Sequence, residues 1–478
     1  MIAGVGVAQA EEKYQPNWES LAKKNPAPDW LRDAKFGIYF HWGVYSVPAF
    51  GSEWYPRNMY LIGRPENKHH IATYGDPLVF GYDKFVPMFK AEKFDANEWA
   101  DLFVQAGAKY AGPVAEHHDG FSMWASKQTP WNAKDRGPKR DIVGELAKAI
   151  RARGMKFVTT FHTARNNLWE KQPGKWSGHY DGVLKNYPKA MENKENAILF
   201  GYMPREQFLK MWLAKLEEVI DNYQPDLMWF DSWLDEIPEQ VRMEYLAYYF
   251  NASQKWGRDV VVTFKQQDLP RTVAIDDYEK GRASEKTDFV WLTDDTISKG
   301  SWCYTQDLKI KSVEEVLTTF IDIISKNGQL LLNISPKADG TIPEDQRQVL
   351  LAMGAWLKTS GDAVYGTRPW VTYGEGGTKM DKGGHFVKSI KYKSDDVRFT
   401  CKGKTVYATF LGWPGAGEKM TLATFAKDGK AGDVKVKSVS LVGGDAKIAW
   451  EATDKGLTVT MPDKAPSELA VAFKIETE

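Results

Sequence analysis

A polar residue follows each of several short apolar runs in this sequence. These residues are His41, His117, His118, His162, Asp231, Lys265 and Asn333. In a barrel of parallel strands the carboxyl ends of the strands face one shared mouth, so side chains at these positions would meet in one pocket. A single histidine at a strand end is usually a satisfied polar residue. Several imidazoles, a carboxylate and a cation that converge on one mouth instead predict an active site.

Three kinds of chemistry could use such a set. A metal site is disfavoured because His117 and His118 are adjacent on a strand and would point to opposite faces, and no HxH or HExxH spacing is present. A serine hydrolase would need a G-x-S-x-G elbow, which the sequence lacks. A glycosidase needs two carboxyls, hydrogen-bonding groups for hydroxyls and aromatic walls. Asp231 lies within MWFDSW at 228–233, an aromatic-walled carboxylate at a strand end. The pattern therefore favours a glycosidase that uses no metal and no cofactor.

The elements that must position these residues are alternating strands and helices between residues 30 and 365. The continuous apolar runs lie at 36–40, 110–115, 156–161, 227–230, 260–264 and 329–332, as in strands buried on both faces. Asp95 with Glu98, and Ser312 with Glu315, have the spacing of capping boxes, and Asp141 caps a further helix. The alternation predicts an α/β fold, a (β/α)8-like barrel of the TIM type, although only six or seven strands are recognisable.

The sequence changes character after Trp370. Short alternating runs lie at 397–401, 405–410, 434–442, 447–452, 457–461 and 469–475. They predict a C-terminal antiparallel β-sandwich over 366–478, after an N-terminal tail at 1–29 and the barrel at 30–365. The sandwich could be a carbohydrate-binding module or a structural support. Trp413 and Trp450 are its obvious aromatic residues, and their small number favours a support.

Charge and cysteine content exclude several other classes. Lys and Arg together number 63, as do Asp and Glu, so the formal net charge of zero indicates no nucleic-acid or membrane partner. No stretch is long and apolar enough to span a bilayer. Cys303 and Cys401 lie in different segments and form no disulfide framework.

The N-terminus resembles the end of a secretory signal. Ala8-Gln9-Ala10 follows a short apolar run, as in a signal-peptide cleavage site, and predicts a periplasmic or secreted protein. The oligomeric state stays open.

Several stretches resemble the family 29 α-L-fucosidases over residues 30–370. They are 34–48 (AKFGIYFHWGVYSVP), 53–55 (EWY), 117–121 (HHDGF), 229–231 (WFD) and 327–340 (NGQLLLNISPKADG). The resemblance implies a barrel followed by a β-sandwich. It also implies a retaining exo-glycosidase that releases terminal α-L-fucose from fucosylated oligosaccharides or glycoconjugates by double displacement. A barrel that binds glycans without hydrolysing them, and a glycosidase of a related sugar, are the alternatives.

The resemblance implies that Asp231 is the nucleophile. Asp226 and Asp235 flank it as rivals. Asp226 precedes the strand and would lie at the inert end of the barrel, and Asp235 lies past the strand end in a loop. The acid/base would be Glu279 or Glu285, of which Glu279 is favoured because it follows an Asp-Tyr pair typical of the family and lies closer to the preceding strand.

Further residues match positions that bind the sugar in this family. They are His41, Glu53, Trp54, His117, His118, His162, Lys265 and Trp302. His162 departs from the tyrosine that is common there. Lys265 lies near a common arginine position, and lysine cannot copy the bidentate fork of arginine. Trp302 would pack on the fucose methyl group, whose burial favours a 6-deoxy sugar by about 1 kcal/mol.

Overall fold

The computed structural model describes residues 12–170, 179–464 and 466–478. The predicted cleavage site at Ala8-Gln9-Ala10 lies outside these residues. Among the described residues, no helix has both the length and the apolar character that crossing a membrane requires.

Eight parallel strands of the described chain form one sheet. They are β1 (Phe36–Phe40), β2 (Tyr110–Glu116), β3 (Lys156–Phe161), β4 (Leu227–Phe230), β5 (Val261–Phe264), β6 (Ile275–Asp276), β7 (Trp291–Thr296) and β8 (Gly328–Ile334). Their order is β6-β5-β4-β3-β2-β1-β8-β7. A single parallel bridge between Asp277 and Leu292 joins the two edges. The sheet therefore closes almost completely, which confirms the predicted barrel. The strands missing from the prediction are β6, with two residues, and β7, whose sequence is largely polar.

Helices pack around the sheet and extend its loops. The α-helices are α1 (Trp18–Leu21), α2 (Asp29–Ala34), α3 (Tyr55–Asn58), α4 (Pro65–Tyr74), α5 (Ala96–Gln105), α6 (Ile142–Ala152), α7 (Val183–Asn186), α8 (Lys194–Leu199), α9 (Arg205–Tyr223), α10 (Glu239–Trp256), α11 (Val313–Ser325) and α12 (Glu344–Ser360). The predicted caps are present: Asp95 accepts from the N–H groups of Asn97 and Glu98, and Ser312 accepts from the N–H of Glu315. These bonds satisfy donors that the first turn of a helix leaves free.

The barrel interior is filled by large side chains from alternate strand positions. Tyr39, Tyr110 and Trp229 belong to one buried cluster inside the barrel. Phe40, the neighbour of Tyr39, points the other way and packs with the surrounding helices. Gly37 leaves room for the ring of Tyr110, since a Cβ atom there would lie 2.2 Å from it. This packing fills the barrel interior, and in barrels of this type a site lies at the carboxyl ends of the strands.

The C-terminal part consists of two antiparallel sheets, as predicted. Their strands are β9 (Arg368–Glu375), β10 (Val397–Lys402), β11 (Thr405–Phe410), β12 (Lys419–Leu422), β13 (Val436–Leu441), β14 (Trp450–Thr453), β15 (Gly456–Thr460) and β16 (Val471–Thr477). The sheets have the orders β13-β16-β11-β10-β9 and β12-β15-β14. Phe399, Phe410, Leu457 and Phe473 belong to the core that they share. The proposed limit between residues 365 and 366 remains a prediction.

A buried ion cluster ties the sandwich to the barrel. Asp322 of α11 contacts Lys326 at 2.9 Å, Arg398 of β10 at 2.6 Å and Arg282 at 3.5 Å. Burial alone would raise the pKa of Asp322, but these three cations lower it to about 2. The cluster anchors the chain that follows β6, which carries Glu279, against both parts of the molecule.

Candidate active site

A cavity of about 400 Å³ lies at the carboxyl ends of the barrel strands. It is lined by all ten residues that the family resemblance implies: Asp231, Glu279, His41, Glu53, Trp54, His117, His118, His162, Lys265 and Trp302. Asn333, the remaining strand-end residue, does not line the cavity and hydrogen-bonds to His41. The remaining lining residues are Arg165, Trp229, Ser232, Trp233, Gln266, Asp294 and Phe386. Glu285, the other acid/base candidate, is exposed and lines a different cavity with Tyr373 and Arg398.

Asp231 follows β4 and is held by cations on both of its oxygens. Arg165 Nη2 donates to Oδ2 at 3.0 Å, and Lys265 Nζ donates to Oδ1 at 3.4 Å. His118 Nε2 also lies 3.2 Å from Oδ2. Burial would raise the pKa of Asp231, but the two cations and the His118 hydrogen bond hold it well below its usual range. The carboxylate is therefore ionised at neutral pH, as a nucleophile must be.

Lys265, at the end of β5, is the centre of a buried group of carboxyls. Its Nζ lies 3.4 Å from Asp231 Oδ1, 3.0 Å from Glu279 Oε2, 3.4 Å from Asp294 Oδ2 and 3.7 Å from Asp277 Oδ2. Burial would lower the pKa of Lys265, but the carboxylates raise it well above its usual value. One ammonium therefore contacts both residues that were predicted to be catalytic.

Asp277 and Asp294 both contact this ammonium, and neither was predicted as a site residue. The N–H of Asp294 donates to Asp277 Oδ1 at 2.9 Å, and the Tyr39 hydroxyl donates to Asp294 Oδ2 at 3.0 Å. Burial raises the pKa of Asp277 to about 6 even with Lys265 nearby. Burial and Asp277 raise the pKa of Asp294 well above its usual value. This pair therefore holds a proton at neutral pH, which reduces the negative charge around Lys265.

The hydrogen bonds of Asn333 set the tautomer of His41. The Asn333 amide nitrogen donates to the Trp302 carbonyl at 2.7 Å and to Thr296 Oγ1 at 3.1 Å, so its oxygen faces His41. That oxygen accepts from the His41 backbone N–H at 2.9 Å and lies 2.8 Å from Nδ1. Nδ1 therefore carries the proton, and Nε2 keeps its lone pair. Burial lowers the pKa of His41 to about 3, so the ring stays neutral and can accept a hydrogen bond from a hydroxyl.

His117 and His162 complete a group of three imidazoles with His41. One ring nitrogen from each of the three lies within 4.8 Å of the others. The Nδ1 atoms of His117 and His162 have no hydrogen-bond partner among the described residues. Burial lowers the pKa of both rings well below the usual value. Neutral imidazoles in this arrangement could bind sugar hydroxyls or a divalent transition metal. Adjacency on one strand disfavours a metal only for the pair His117 and His118, and it does not apply to these three residues. Metal independence stays a prediction.

Glu53 and two tryptophans form a further wall of the cavity. Glu53 Oε2 accepts from Ser301 Oγ and from the N–H of Trp302, both at 3.1 Å. Burial raises the pKa of Glu53. Trp302 lies with its ring 5.3 Å from that of His41, and the guanidinium of Arg165 lies 5.2 Å from the ring of Trp54. The wall thus combines an acceptor for hydroxyls with apolar ring faces.

The two rivals of Asp231 lie elsewhere. Asp226 is buried at the opposite end of β4, where Oδ2 accepts from the Phe157 N–H at 2.9 Å and Lys156 and Arg258 are close. Asp235 is exposed within a 3₁₀ turn at Leu234–Glu236. Neither lines the cavity.

Comparison with known proteins identifies the family. A family model described as Alpha-L-fucosidase matches residues 1–362, and one described as Alpha-L-fucosidase C-terminal domain matches residues 392–476. The chain belongs to the α-L-fucosidase family. It is accordingly a glycoside hydrolase, and the expectation from the sequence motifs is confirmed at this level.

Individual members of the family are similar over nearly their whole length. The tissue alpha-L-fucosidase of Homo sapiens is 31% identical, with 98% of this chain and 91% of that protein covered. The plasma alpha-L-fucosidase of Rattus norvegicus is 32% identical, with 94% and 90% covered. A structure of the Thermotoga maritima alpha-fucosidase in complex with fucose is 30% identical, with a TM-score of 0.74 and coverage of 97% of this chain and 100% of that one.

Two residues of the cavity were not predicted from the sequence. Arg165, three residues beyond the predicted His162, places its guanidinium 3.0 Å from Asp231. Phe386 lies between the residues matched by the two fucosidase family models. No periodicity marks either residue in the sequence, although Arg165 does lie in the loop directly after a strand end.

Proposed function

We propose that this protein hydrolyses terminal α-L-fucosyl residues of fucosylated oligosaccharides or glycoconjugates with retention of configuration, with Asp231 as nucleophile and Glu279 as acid/base. The observation that carries the proposal is the double contact of Lys265, at 3.4 Å to Asp231 and 3.0 Å to Glu279. Two carboxylate oxygens that contact one atom can be no farther apart than the sum of these distances. Such a shared contact is compatible with the separation of about 5–5.5 Å between the carboxyl groups of retaining enzymes, and it supports a retaining enzyme.

In the first step the Asp231 carboxylate attacks the anomeric carbon and forms an ester bond to it. The bond from that carbon to the glycosidic oxygen breaks, and Glu279 donates its proton to the departing oxygen. The cations on both oxygens of Asp231 keep it ionised before attack. Lys265, which contacts both carboxyl groups, fixes their relative positions for the transfer.

In the second step water attacks the same carbon from the face that the leaving group has vacated. Glu279 removes a proton from the water, and the ester bond to Asp231 breaks. Two inversions give net retention, so the first product is α-L-fucose. The second step thus returns Asp231 to a free carboxylate and Glu279 to its protonated form, as the next cycle requires.

The polar groups of the wall support recognition of a hydroxyl-rich sugar. His41 Nε2 and the carboxylate of Glu53 offer acceptors, while Trp302 offers an apolar face for the methyl group of a 6-deoxy sugar. A hydroxymethyl group would have to lose its hydration to occupy the same place. The Thermotoga maritima alpha-fucosidase was solved with fucose, and a fucosynthase of that organism with a fucosyl disaccharide azide, which supports the same sugar here.

The roles of the two carboxyls can be separated with azide and an activated aryl α-L-fucoside. Asp231→Gly should lose several orders of magnitude in kcat/KM and, with azide in place of the carboxylate, should form β-L-fucosyl azide. Glu279→Ala should keep the first step with a good leaving group and form α-L-fucosyl azide, because azide attacks the ester without a base. Glu285→Ala is the matched control and should behave like wild type. If Glu285→Ala formed α-L-fucosyl azide and Glu279→Ala had wild-type kinetics, Glu285 would be the acid/base.

Export to the periplasm or the exterior is proposed from Ala8-Gln9-Ala10 alone. Sequencing of the native N-terminus should find a start near Glu11, and an intact Met1 would contradict export.

A further inference from the structure

A segment beyond β9 crosses the barrel mouth and pairs with the loop that carries Glu279. It comprises residues 383–387, which we call the crossing segment. Its bonds to the loop are Gly384 N–H to the Arg282 carbonyl (2.9 Å), Arg282 N–H to the Gly384 carbonyl (3.0 Å), Phe386 N–H to the Glu279 carbonyl (2.7 Å) and Val387 N–H to the Lys280 carbonyl (3.0 Å). The segment is therefore held against the loop by backbone bonds, like a short antiparallel pair.

The contact between the two chains is close and leaves little freedom. A Cβ atom on Gly281 would lie 1.8 Å from the Gly384 carbonyl oxygen, so only glycine fits there. The N–H of Glu279 donates to His385 Nδ1 at 3.0 Å. Both backbone polar groups of Glu279 are thus bonded to the crossing segment. The segment has a fixed position relative to the carboxyl that we propose as acid/base.

Phe386 is the residue of this segment that reaches the active-site cavity. It is 65% exposed, so burial in a core does not explain it. Its φ of 53° lies in the left-handed region, which bulky residues rarely adopt. It also lines a neighbouring concavity of about 630 Å³ formed by residues 379–390. An exposed aromatic ring in a strained backbone position beside an active site points to a functional role.

The chemistry of the acid/base determines what lies beside this ring. Glu279 protonates the glycosidic oxygen, so the group attached to the other side of that oxygen must lie next to the Glu279 loop. We propose that Phe386 is the platform for this leaving group, a hexopyranose whose apolar C–H face packs on the phenyl ring. Further sugars of the leaving group would continue into the concavity at 379–390. The inference rests on the proposed function, because it takes Glu279 as the acid/base.

The experiment compares a substrate that has a leaving-group sugar with one that has none. The substrates are an α-L-fucosyl-(1→2)-hexopyranoside and α-L-fucosyl fluoride, and the readout is the ratio of their kcat/KM values. Phe386→Gly removes the ring, and glycine adopts a φ of 53° without strain. We expect this variant to lower the ratio about tenfold, equal to about 1.4 kcal/mol. Phe386→Trp keeps an aromatic ring and should have a ratio close to that of the wild type. Val371 is an exposed residue of β9, and Val371→Ala is the control that should not change the ratio.

Two outcomes would overturn the proposal. An equal loss on both substrates would show that Phe386 supports the fucose site or the fold and does not contact the leaving group. A ring that only positioned Glu279 would also lower the ratio, because fluoride departs without protonation, but it would leave the binding of the disaccharide to Asp231→Gly unchanged. An unchanged ratio with full activity would show that the ring makes no contact with the sugar.

Failure of the proposed function is distinguishable from failure of the subsite. Wild-type protein that hydrolyses neither substrate would contradict the fucosidase mechanism itself. Calorimetric binding of the intact disaccharide to Asp231→Gly, compared with Asp231→Gly/Phe386→Gly, tests the platform without turnover. We expect about tenfold weaker binding in the double variant, and equal binding would overturn the subsite.

Discussion

Replacement of Lys265 by methionine removes the single ammonium that contacts Asp231 and Glu279 together. Methionine is similar in length and unbranched, so the change removes the charge with little change in volume. Lys265→Arg is the matched control, because it keeps a cation at this position. Lys265 directly follows β5, so each variant changes one side chain at the mouth of the barrel.

The size of the effect follows from the contacts of Lys265. At an effective dielectric constant of about 20, two unit charges separated by the 3.4 Å between Lys265 and Asp231 interact by about 5 kcal/mol. Loss of one partner of a buried ion pair costs about 3–5 kcal/mol of stability. With an unfolding entropy of about 2.1 cal/mol/K per residue, this cost lowers the Tm of a barrel of this size by about 4–7 °C. Loss of one preorganised charge beside the reacting atoms should lower kcat/KM about 10²–10³-fold.

The pH dependence of kcat/KM gives the sharpest test. Burial raises the pKa of Asp231, whereas Arg165, Lys265 and His118 lower it. In Lys265→Met one of these lowering effects is lost, so the pKa of Asp231 rises. The acidic limb of the profile should therefore move to higher pH. In Lys265→Arg the limb should stay near its wild-type position. An unchanged acidic limb in a folded Lys265→Met protein would refute the electrostatic role that we assign to Lys265.

Three further predictions follow from the site. Arg165→Met should also move the acidic limb to higher pH and lower kcat/KM about 10²-fold, because the carboxylate loses its other cation; wild-type kinetics would exclude a role for Arg165. Asp277 has a folded pKa of about 6 against a usual 3.8, so the stability that its neutral form contributes is present below pH 3.8 and lost as pH rises through about 6. Asp277→Asn should therefore flatten the dependence of Tm on pH over this interval, and an identical slope would argue against a shared proton. Prolonged EDTA treatment should leave the rate unchanged, whereas a rate lost to EDTA and regained with Zn²⁺ would assign the trio of His41, His117 and His162 to a metal.

Much of the barrel is predictable from the sequence because its strands are buried on both faces. Continuous apolar runs locate β1 to β5 and β8 to within about two residues. Two strands, β6 and β7, lack a continuous apolar run and could not be located in this way. β6 has two residues, too few for a pattern, and β7 carries Thr293, Asp294 and Asp295 in a buried strand because Lys265 and Lys311 compensate their carboxylates. Such compensation comes from distant segments and leaves no local signal.

The same distinction applies to the site. Residues at strand ends, such as His41 and Asp231, are predictable because the topology of a parallel barrel places them at one mouth. Arg165 and Phe386 lie in loops, where no periodicity fixes the direction of a side chain. Phe386 lies in a Gly-rich stretch, GGHF, that reads as an exposed loop, and only its backbone pairing with Glu279 brings it to the cavity. Family motifs do not reveal it, because residues 363–391 lie between the two matched regions.

The anomeric configuration of the first product tests the central claim most directly. Wild-type protein is mixed with an activated aryl α-L-fucoside, and the anomeric proton of the released sugar is followed by NMR before mutarotation. The mechanism with Asp231 as nucleophile and Glu279 as acid/base predicts that α-L-fucose appears first and that the β anomer grows in later at the rate of spontaneous mutarotation. Initial release of β-L-fucose would contradict it.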